Sequence, residues 1–361
     1  MSKPVVILAA GGTGGHMFPA QSVAESFAAH GFNIILTTDD RGLRYADNFA
    51  ADVKRVVLPT GSFSQGSIFK RIMTPFRLMQ GVLTARKLFQ KHNPVAVIGF
   101  GGYPAAPSLF VARMSGVPYF IHEQNAVLGR VNKRFQSGAR KVACGLWPVV
   151  GAGDNAIYLG NPVRGNVLPL AQSALPTGDK IRLVVFGGSQ GASVFSTIMP
   201  QALAKLPNDL RAKIELTQQA REGEIADLTK AYADMNVQAE LAPFFKDMPN
   251  RIANSHFVVA RSGASTLAEL QVIGRGSILV PLPSAMNDHQ RLNAKAMVAA
   301  NAALEYDEQT HTSDDLAKWL EDTLTQPKNL ARMGDAAHRL ARPNAAQDLC
   351  EMIMKELNNA P

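Results

Sequence analysis

The sequence predicts an α/β chain of two doubly wound domains, and three observations carry the prediction. Short apolar, β-branched runs alternate with amphipathic stretches along the chain, the pattern of parallel sheets covered on both faces by crossover helices. A strand, Gly-Gly, hydroxyl residue, glycine, helix pattern opens the chain as VVILAAGGTGGH and returns half-way along as LVVFGGSQGAS. Between them, YLGNPVRGNVLPLAQSALPTGDK is rich in Pro, Gly and Asn, which is linker composition.

Taken in order, PVVILAA, NIILTT, VAVIGF, PYFIHE and KVACG read as strands of the first domain. IRLVVFG, KIELTQ, HFVVAR and SILVPLP read as strands of the second. FPAQSVAESFAAHG and ASTLAELQVIG have the pattern of intervening helices. A last helix, AAQDLCEMIMKELNNA, follows Pro343 and is expected to cross back onto the first domain. The expected boundaries are 1–163, completed by 343–361, and 164–342, as two Rossmann-like domains facing a central cleft.

Length and composition agree with this. A chain of 361 residues has room for two cores, and 46% hydrophobic with 18% charged residues is a globular balance. Two distant cysteines, Cys144 and Cys350, read as buried free thiols of a reducing compartment. No signal peptide is expected, because the short apolar N-terminal run ends in glycines. A long uncharged stretch, PVAVIGFGGYPAAPSLFVA, is broken by Gly101, Gly102, Pro104 and Pro107, so strand, loop and helix is expected there and not a membrane span.

The net charge of +8 is unevenly placed. Between Val53 and His122 there are nine Lys and Arg residues and no Asp or Glu. That segment is expected to meet something anionic: nucleic acid, lipid headgroups or a phosphorylated substrate.

Four strand ends suit anions or sugars, since a helix N-terminus offers free N–H groups and the positive end of a dipole. The first loop, Gly11 to His16, fails as a dinucleotide fingerprint, because Met17 stands where the last glycine of G-x-G-x-x-G should be. Neither it nor GGSQGAS carries the GK[ST] of a nucleotide-hydrolysing P-loop. RSGASTLAE offers small residues for close approach to a diphosphate, with Glu269 placed to accept ribose hydroxyls; alternatively Thr266 and Glu269 form a capping box. PLPSAMNDHQRLNA presents His289 and Gln290 to sugar hydroxyls, or merely caps a helix with Asn287 or Asp288. A fifth strand end carries His122, Glu123, Gln124 and Asn125, too polar a run behind an apolar strand to be only a solvated loop.

GGTGGHMFPA, GFGGYPAAP, HEQNAVLGRVNK, GNPVR, GGSQGA, RSGASTLAE and DHQRLNA, in this order, resemble the MurG family across nearly the whole chain. The resemblance implies the GT-B fold, with the lipid acceptor on the N-terminal domain and the nucleotide sugar on the C-terminal one. It implies inverting transfer of GlcNAc from UDP-GlcNAc to O4 of the muramic acid in undecaprenyl-pyrophosphoryl-MurNAc-pentapeptide, in peptidoglycan synthesis on the cytoplasmic face of the bacterial inner membrane. Carried onto this chain, Thr13, Gly14, Gly15, Asn125, Arg164, Ser189, Phe245, Ala264, Ser265, Thr266, Leu267, Ala268, Glu269, His289 and Gln290 match donor-binding positions. Some members carry Gln in place of His289, and an aliphatic residue often lies near Phe245.

Inversion needs a base for the acceptor hydroxyl and something to meet the charge on departing UDP. His16 is the first candidate base, with Glu123 and His122 behind it; His16 would otherwise orient a phosphate or sugar oxygen. The sequence has no Asp-x-Asp triplet, so no metal or other cofactor is required by it, and helix N-termini with Arg164 are expected to serve the diphosphate. Ile68, Phe69, Ile72, Phe76 and Met79, among Lys70, Arg71 and Arg77, form a stripe suited to an anionic membrane surface. A UDP-sugar epimerase would not need this basic stripe. An NAD-dependent oxidoreductase would need the failed fingerprint, with Asp39 or Asp40 on the ribose. A nucleic-acid module is disfavoured by an aromatic content of 7%.

Overall fold

The computed structural model describes residues 3–60, 68–188 and 191–359, residues 68–75 by backbone alone. The chain divides into two units: residues 1–164 with 343–361, and residues 165–342.

Unit 1 runs β1 (Val5–Ala9), α1 (Gly14–Ala29), β2 (Asn33–Thr38), β3 (Lys54–Val57), α2 (Ile68–His92), β4 (Ala96–Gly99), α3 (Ala106–Ser115), β5 (Tyr119–Glu123), α4 (Arg130–Phe135), β6 (Val142–Cys144) and β7 (Ala156–Tyr158). Its sheet is parallel in the order β3-β2-β1-β4-β5-β6-β7.

Unit 2 runs β8 (Ile181–Phe186), α5 (Val194–Lys205), α6 (Asn208–Arg211), β9 (Ile214–Gln219), α7 (Ile225–Asp234), β10 (Gln238–Ala242), α8 (Met248–Ala253), β11 (Phe257–Ala260), α9 (Ala264–Ile273), β12 (Ser277–Leu279), α10 (His289–Ala299), β13 (Ala303–Glu305), α11 (Ser313–Leu324) and α12 (Pro327–Arg339). Its parallel order is β10-β9-β8-β11-β12-β13. A last helix, α13 (Ala345–Asn358), belongs to unit 1.

Both sheets start at a central strand, run outward, then return to its other side. This Rossmann order creates a switch point between β1 and β4 and another between β8 and β11, and open α/β sheets bind ligands beyond the strand ends at such points. The nine strands legible in the sequence are the interior ones. The four it did not announce, β3, β7, β10 and β13, are the outer edges of the two sheets. Their residues are mostly half-buried or exposed, so they lack the continuous apolar run that marks a strand covered on both faces.

In unit 1, α1 and α13 cover one face of the sheet. Leu349, Cys350 and Ile353 of α13 pack among Val6, Leu8 and Phe27, and the Arg140 side chain donates to the Glu356 carbonyl at 2.6 Å. The other face takes α2, α3 and α4 through Leu88, Phe89, Leu109 and Phe135. Unit 2 has its own core around Val185, Phe195, Leu216 and Phe257. Helix α1 begins at Gly14, four residues before the apolar pattern suggested, with Pro19 inside it. Proline there deletes one helical hydrogen bond, and the early start brings the glycine loop directly onto the helix end. Both cysteines are buried free thiols.

Candidate functional site

In unit 1 the turn after β1 is held from below by Asp39. Its Oδ1 accepts from the Gly12 N–H at 2.8 Å and the Gly42 N–H at 2.9 Å, and Oδ2 faces the Arg41 guanidinium at 3.2 Å. A Cβ on Gly11 would lie 2.7 Å from that Oδ1 and from Pro104, so only glycine fits. Asp39 is therefore a brace for the loop, which removes it as the ribose ligand of a dinucleotide reading.

His16 is the third residue of α1. Its Nδ1 lies 3.0 Å from the Gly11 carbonyl. A carbonyl can only accept, so Nδ1 carries a proton, and a neutral ring held this way would have its lone pair on Nε2. A second glycine turn closes over this ring. A Cβ at Gly101 would stand 3.5 Å from Nε2, and one at Gly102 would stand 3.4 Å from the ring. Both glycines have positive φ, +88° and +71°, which side-chain-bearing residues avoid. Thr13 is the N-cap with extended backbone, yet its hydroxyl makes no cap bond. The N–H groups of Gly14 and Gly15 open the helix and have no acceptor within it.

Glu123 ends β5, buried, with all four lone-pair positions of its carboxylate engaged. Oε1 accepts from the Asn125 N–H at 3.1 Å and its side-chain amide at 3.3 Å. Oε2 accepts from the Gly129 N–H and the Asn132 amide, both at 2.8 Å. No line of approach remains for a hydroxyl proton, so the structure makes Glu123 the organiser of the 125–132 loop and not an alternative base. His122 is corrected in the same way. It is fully buried, its Nε2 lies 3.2 Å from the Gly160 carbonyl and its Nδ1 takes the Gln124 amide at 3.0 Å. Burial lowers its pKa from 6.5 to about 4, against a smaller upward pull from the Gly160 carbonyl. It is a neutral core histidine.

Asn132, quoted within HEQNAVLGRVNK but given no role by the sequence, belongs to this group. Helix α4 returns it to the strand end, where its amide holds Glu123 and its Oδ1 is buried without a partner. The position a Cβ would take on Gly101 lies 3.2 Å from its Nδ2 and 3.5 Å from His16 Nε2. The place of Asn132 inside that motif, as a buried polar residue on the short helix that follows the strand end, was the available signal.

Arg164 stacks its guanidinium 4.8 Å above the Phe18 ring of α1. It closes unit 1, where a boundary after residue 163 had assigned it to the second domain.

In unit 2 the glycine turn after β8 is pinned by Gln219. Its Oε1 accepts from Gly187 N at 3.1 Å and its Nε2 donates to the Pro243 carbonyl at 3.0 Å. Gly188 and Gly191 have φ of +83° and +69°; Ser189 lies outside the described residues. Helix α9 has Gly263 as N-cap, with Ala264, Ser265 and Thr266 as its first turn. Thr266 is thus inside the helix, so a capping box with Glu269 is not formed, and Glu269 stays buried together with Leu267 and Ala268. The Ser265 hydroxyl is buried without a partner in this first turn.

Beyond β12, Asn287 and Asp288 both take left-handed backbone, φ 56° and 52°. Asp288 occupies the cap position of α10 without capping it and pairs with Arg291 at 3.4 Å instead. The kink sets His289, whose Nδ1 meets the Met286 carbonyl at 2.9 Å. Gln290 Oε1 accepts from Leu282 N at 3.0 Å, which fixes the orientation of its amide. Arg261 ties the strand ends together, donating to the Val280 and Pro281 carbonyls at 3.0 and 3.1 Å and facing Glu308 at 2.9 Å. Phe245 is buried, with Arg251 4.2 Å above its ring; the neighbouring Phe244 is the exposed aromatic.

On α2 the backbone is helical through the expected stripe, while the side chains of Ile68, Phe69, Lys70, Arg71 and Ile72 lie outside the described residues. Phe76, Met79 and Leu83 are 65%, 61% and 51% exposed, with Arg77 exposed beside them. Helix α3 adds Phe110 and Met114, the latter 71% exposed, a contribution the sequence reading missed although the two residues are spaced i, i+4. Among the described residues no helix is long and apolar enough to cross a membrane.

Two parallel sheets of this order, each with a glycine turn at its switch point, are the two domains of the GT-B fold, and the family matches make this one a glycosyltransferase. Models of the glycosyltransferase family 28 N-terminal and C-terminal domains match residues 6–144 and 182–349. A relative from Caulobacter vibrioides, named UDP-N-acetylglucosamine--N-acetylmuramyl-(pentapeptide) pyrophosphoryl-undecaprenol N-acetylglucosamine transferase, is 43% identical, over 98% of this chain and 99% of its own. One of the same name from Brucella canis is 42% identical over 98% and 95%. The crystal structure of Acinetobacter baumannii MurG superimposes with TM-score 0.80 at 26% identity, covering 98% of this chain and 99% of that one. A putative UDP-N-acetylglucosamine 2-epimerase from Listeria monocytogenes, at 13% identity and TM-score 0.72, covering 99% and 98%, shares the fold alone. The chain belongs to the MurG family.

Proposed function

We propose that this chain transfers GlcNAc from UDP-GlcNAc to O4 of the muramoyl sugar in undecaprenyl-pyrophosphoryl-MurNAc-pentapeptide, with inversion, as a peripheral enzyme on the anionic cytoplasmic surface of the inner membrane. The observation that carries the reaction is the 43% identity over 98% of the chain to a relative bearing that name.

The loops give each part of the chemistry a source. The acceptor O4–H loses its proton to His16 Nε2, whose lone pair is set by the Gly11 carbonyl on the opposite nitrogen. The O4–C1 bond forms as the bond from C1 to the β-phosphate oxygen breaks, and that electron pair leaves on UDP. Developing negative charge is met by the first turn of α9, with the unpartnered Ser265 hydroxyl as a further donor. Gln290, held by Leu282 N, turns its amide to a sugar hydroxyl. Glu123 and Asp39 react with nothing; they hold the two loops around His16 in register. No metal is invoked, so activity is expected to persist in EDTA.

Support for the membrane surface comes from Phe76, Met79, Leu83, Phe110 and Met114 exposed on α2 and α3, in a segment with no acidic residue.

The reaction is tested by transfer of labelled GlcNAc to a short-chain lipid acceptor, with the anomeric configuration of the product read by NMR. No transfer by folded protein would sink the reading. For the base, His16→Ala is expected to lower kcat by about 10²–10⁴-fold; near-wild-type kcat would return His16 to an orienting part.

A further inference from the structure

One tryptophan stands out of the fold of unit 1. Trp147 is 51% exposed, and Val150, three residues on, is 57% exposed. The loop that carries them is fixed at both ends. Gly145 N donates to the Glu123 carbonyl at 2.7 Å. Val150 N donates to the Ala126 carbonyl at 2.8 Å, and Leu128 N to the Val150 carbonyl at 3.1 Å. Asn161, whose amide donates to the Gln124 carbonyl at 2.9 Å, packs so tightly on Gly145 that any Cβ there would collide with it. The Trp147 loop is therefore zipped, residue by residue, to the Glu123–Gly129 loop of the candidate site.

We infer that Trp147, with Val150 beside it, is the platform for the peptide stem of the acceptor. The inference rests on the proposed reaction. In a muramoyl sugar the peptide hangs from the lactyl group on O3, the oxygen next to the reacting O4. Strand order places the Trp147 loop three strands from the His16 loop, β1 to β4 to β5 to β6. At about 4.8 Å per strand that is roughly 14 Å. A sugar ring alone does not reach so far, whereas five extended residues span up to about 17 Å. An indole face and a valine offer apolar contact to the methyl groups and aliphatic stems of such a peptide, and an aromatic on a rigid loop loses little entropy in providing it.

The test compares two acceptors, a short-prenyl pyrophosphoryl muramoyl-pentapeptide and the same compound ending at the lactyl group. With Trp147→Ala, KM for the peptide acceptor is expected to rise about ten-fold, equivalent to about 1.4 kcal/mol. KM for UDP-GlcNAc, KM for the peptide-less acceptor and kcat are expected to stay near wild type, and Trp147→Phe to restore most of the peptide effect. An equal rise for both acceptors, or none, overturns the inference. So does a wild-type dimer in sedimentation that Trp147→Ala dissociates while KM is unchanged, since a second copy would then be the occupant. Wild-type enzyme that transfers to neither acceptor overturns the proposed reaction itself, and the subsite with it.

Discussion

Lowering the pH should weaken unit 1 through one residue, His122. In the folded chain it is neutral, with its pKa lowered to about 4 by burial, while an unfolded histidine titrates near 6.5. Between those values the unfolded chain binds the extra proton, so stability falls as pH falls. The loss begins near pH 6.5 and is complete below about pH 4. The difference in proton affinity corresponds to about 3 kcal/mol over the whole window, and about 2 kcal/mol between pH 7 and pH 5. Trp147 lies in unit 1 and Trp319 in unit 2, so a Trp319→Phe background leaves one fluorescent reporter of unit 1. Urea unfolding of that protein at pH 7, 6 and 5, with and without His122→Gln, isolates the contribution of His122. The substitution shifts stability by an amount independent of pH, and it removes the slope. Equal losses in the two proteins from pH 7 to pH 5 would show that His122 does not carry this proton, and the account of its buried neutrality would be wrong.

Other perturbations follow from the same contacts. Arg275 is buried and donates to the carbonyls of Ser255, Ser173, Gly274, Ala174 and Ala253; at about 1–3 kcal/mol per orphaned group, Arg275→Met should cost unit 2 at least about 3 kcal/mol, read by urea unfolding on Trp319. Glu123→Gln replaces two acceptor positions by an N–H₂ group facing N–H donors, so kcat should drop and hydrogen exchange at Asn125 to Gly129 should quicken, while the acid limb of the pH–rate profile stays in place; a displaced limb would make Glu123 the titrating base. Gly11→Ala drives a Cβ against Asp39 and Pro104, an overpacking cost of about 1–3 kcal/mol expected to lower kcat more than donor affinity. Replacing Phe76, Met79 and Met114 together by Ser should abolish flotation with anionic vesicles and leave transfer to a water-soluble acceptor intact; unchanged flotation removes the docking face.

The chain's local chemistry was sufficient for its interior strands, because a strand covered on both faces must be apolar throughout, and VVILA or LVVF has no other use. It was sufficient too for the glycine turns, whose positive φ restricts the residue type. The motif set pointed to the family, and hence to the reaction class. Tertiary structure alone decided what neighbouring polar residues do. HEQN reads as two alternative bases and a donor ligand, but a histidine buried against Gly160 and a carboxylate filled by donors from Asn125, Gly129 and Asn132 become supports. Asp39 reads as a ribose ligand until the Gly12 and Gly42 N–H groups occupy it. The four edge strands are set by pairing with strands already formed, and α13 joins unit 1 because its apolar face fits beside α1. A residue's type limits the bonds it can make; which of them it makes depends on partners brought from distant parts of the chain, and only the fold supplies those.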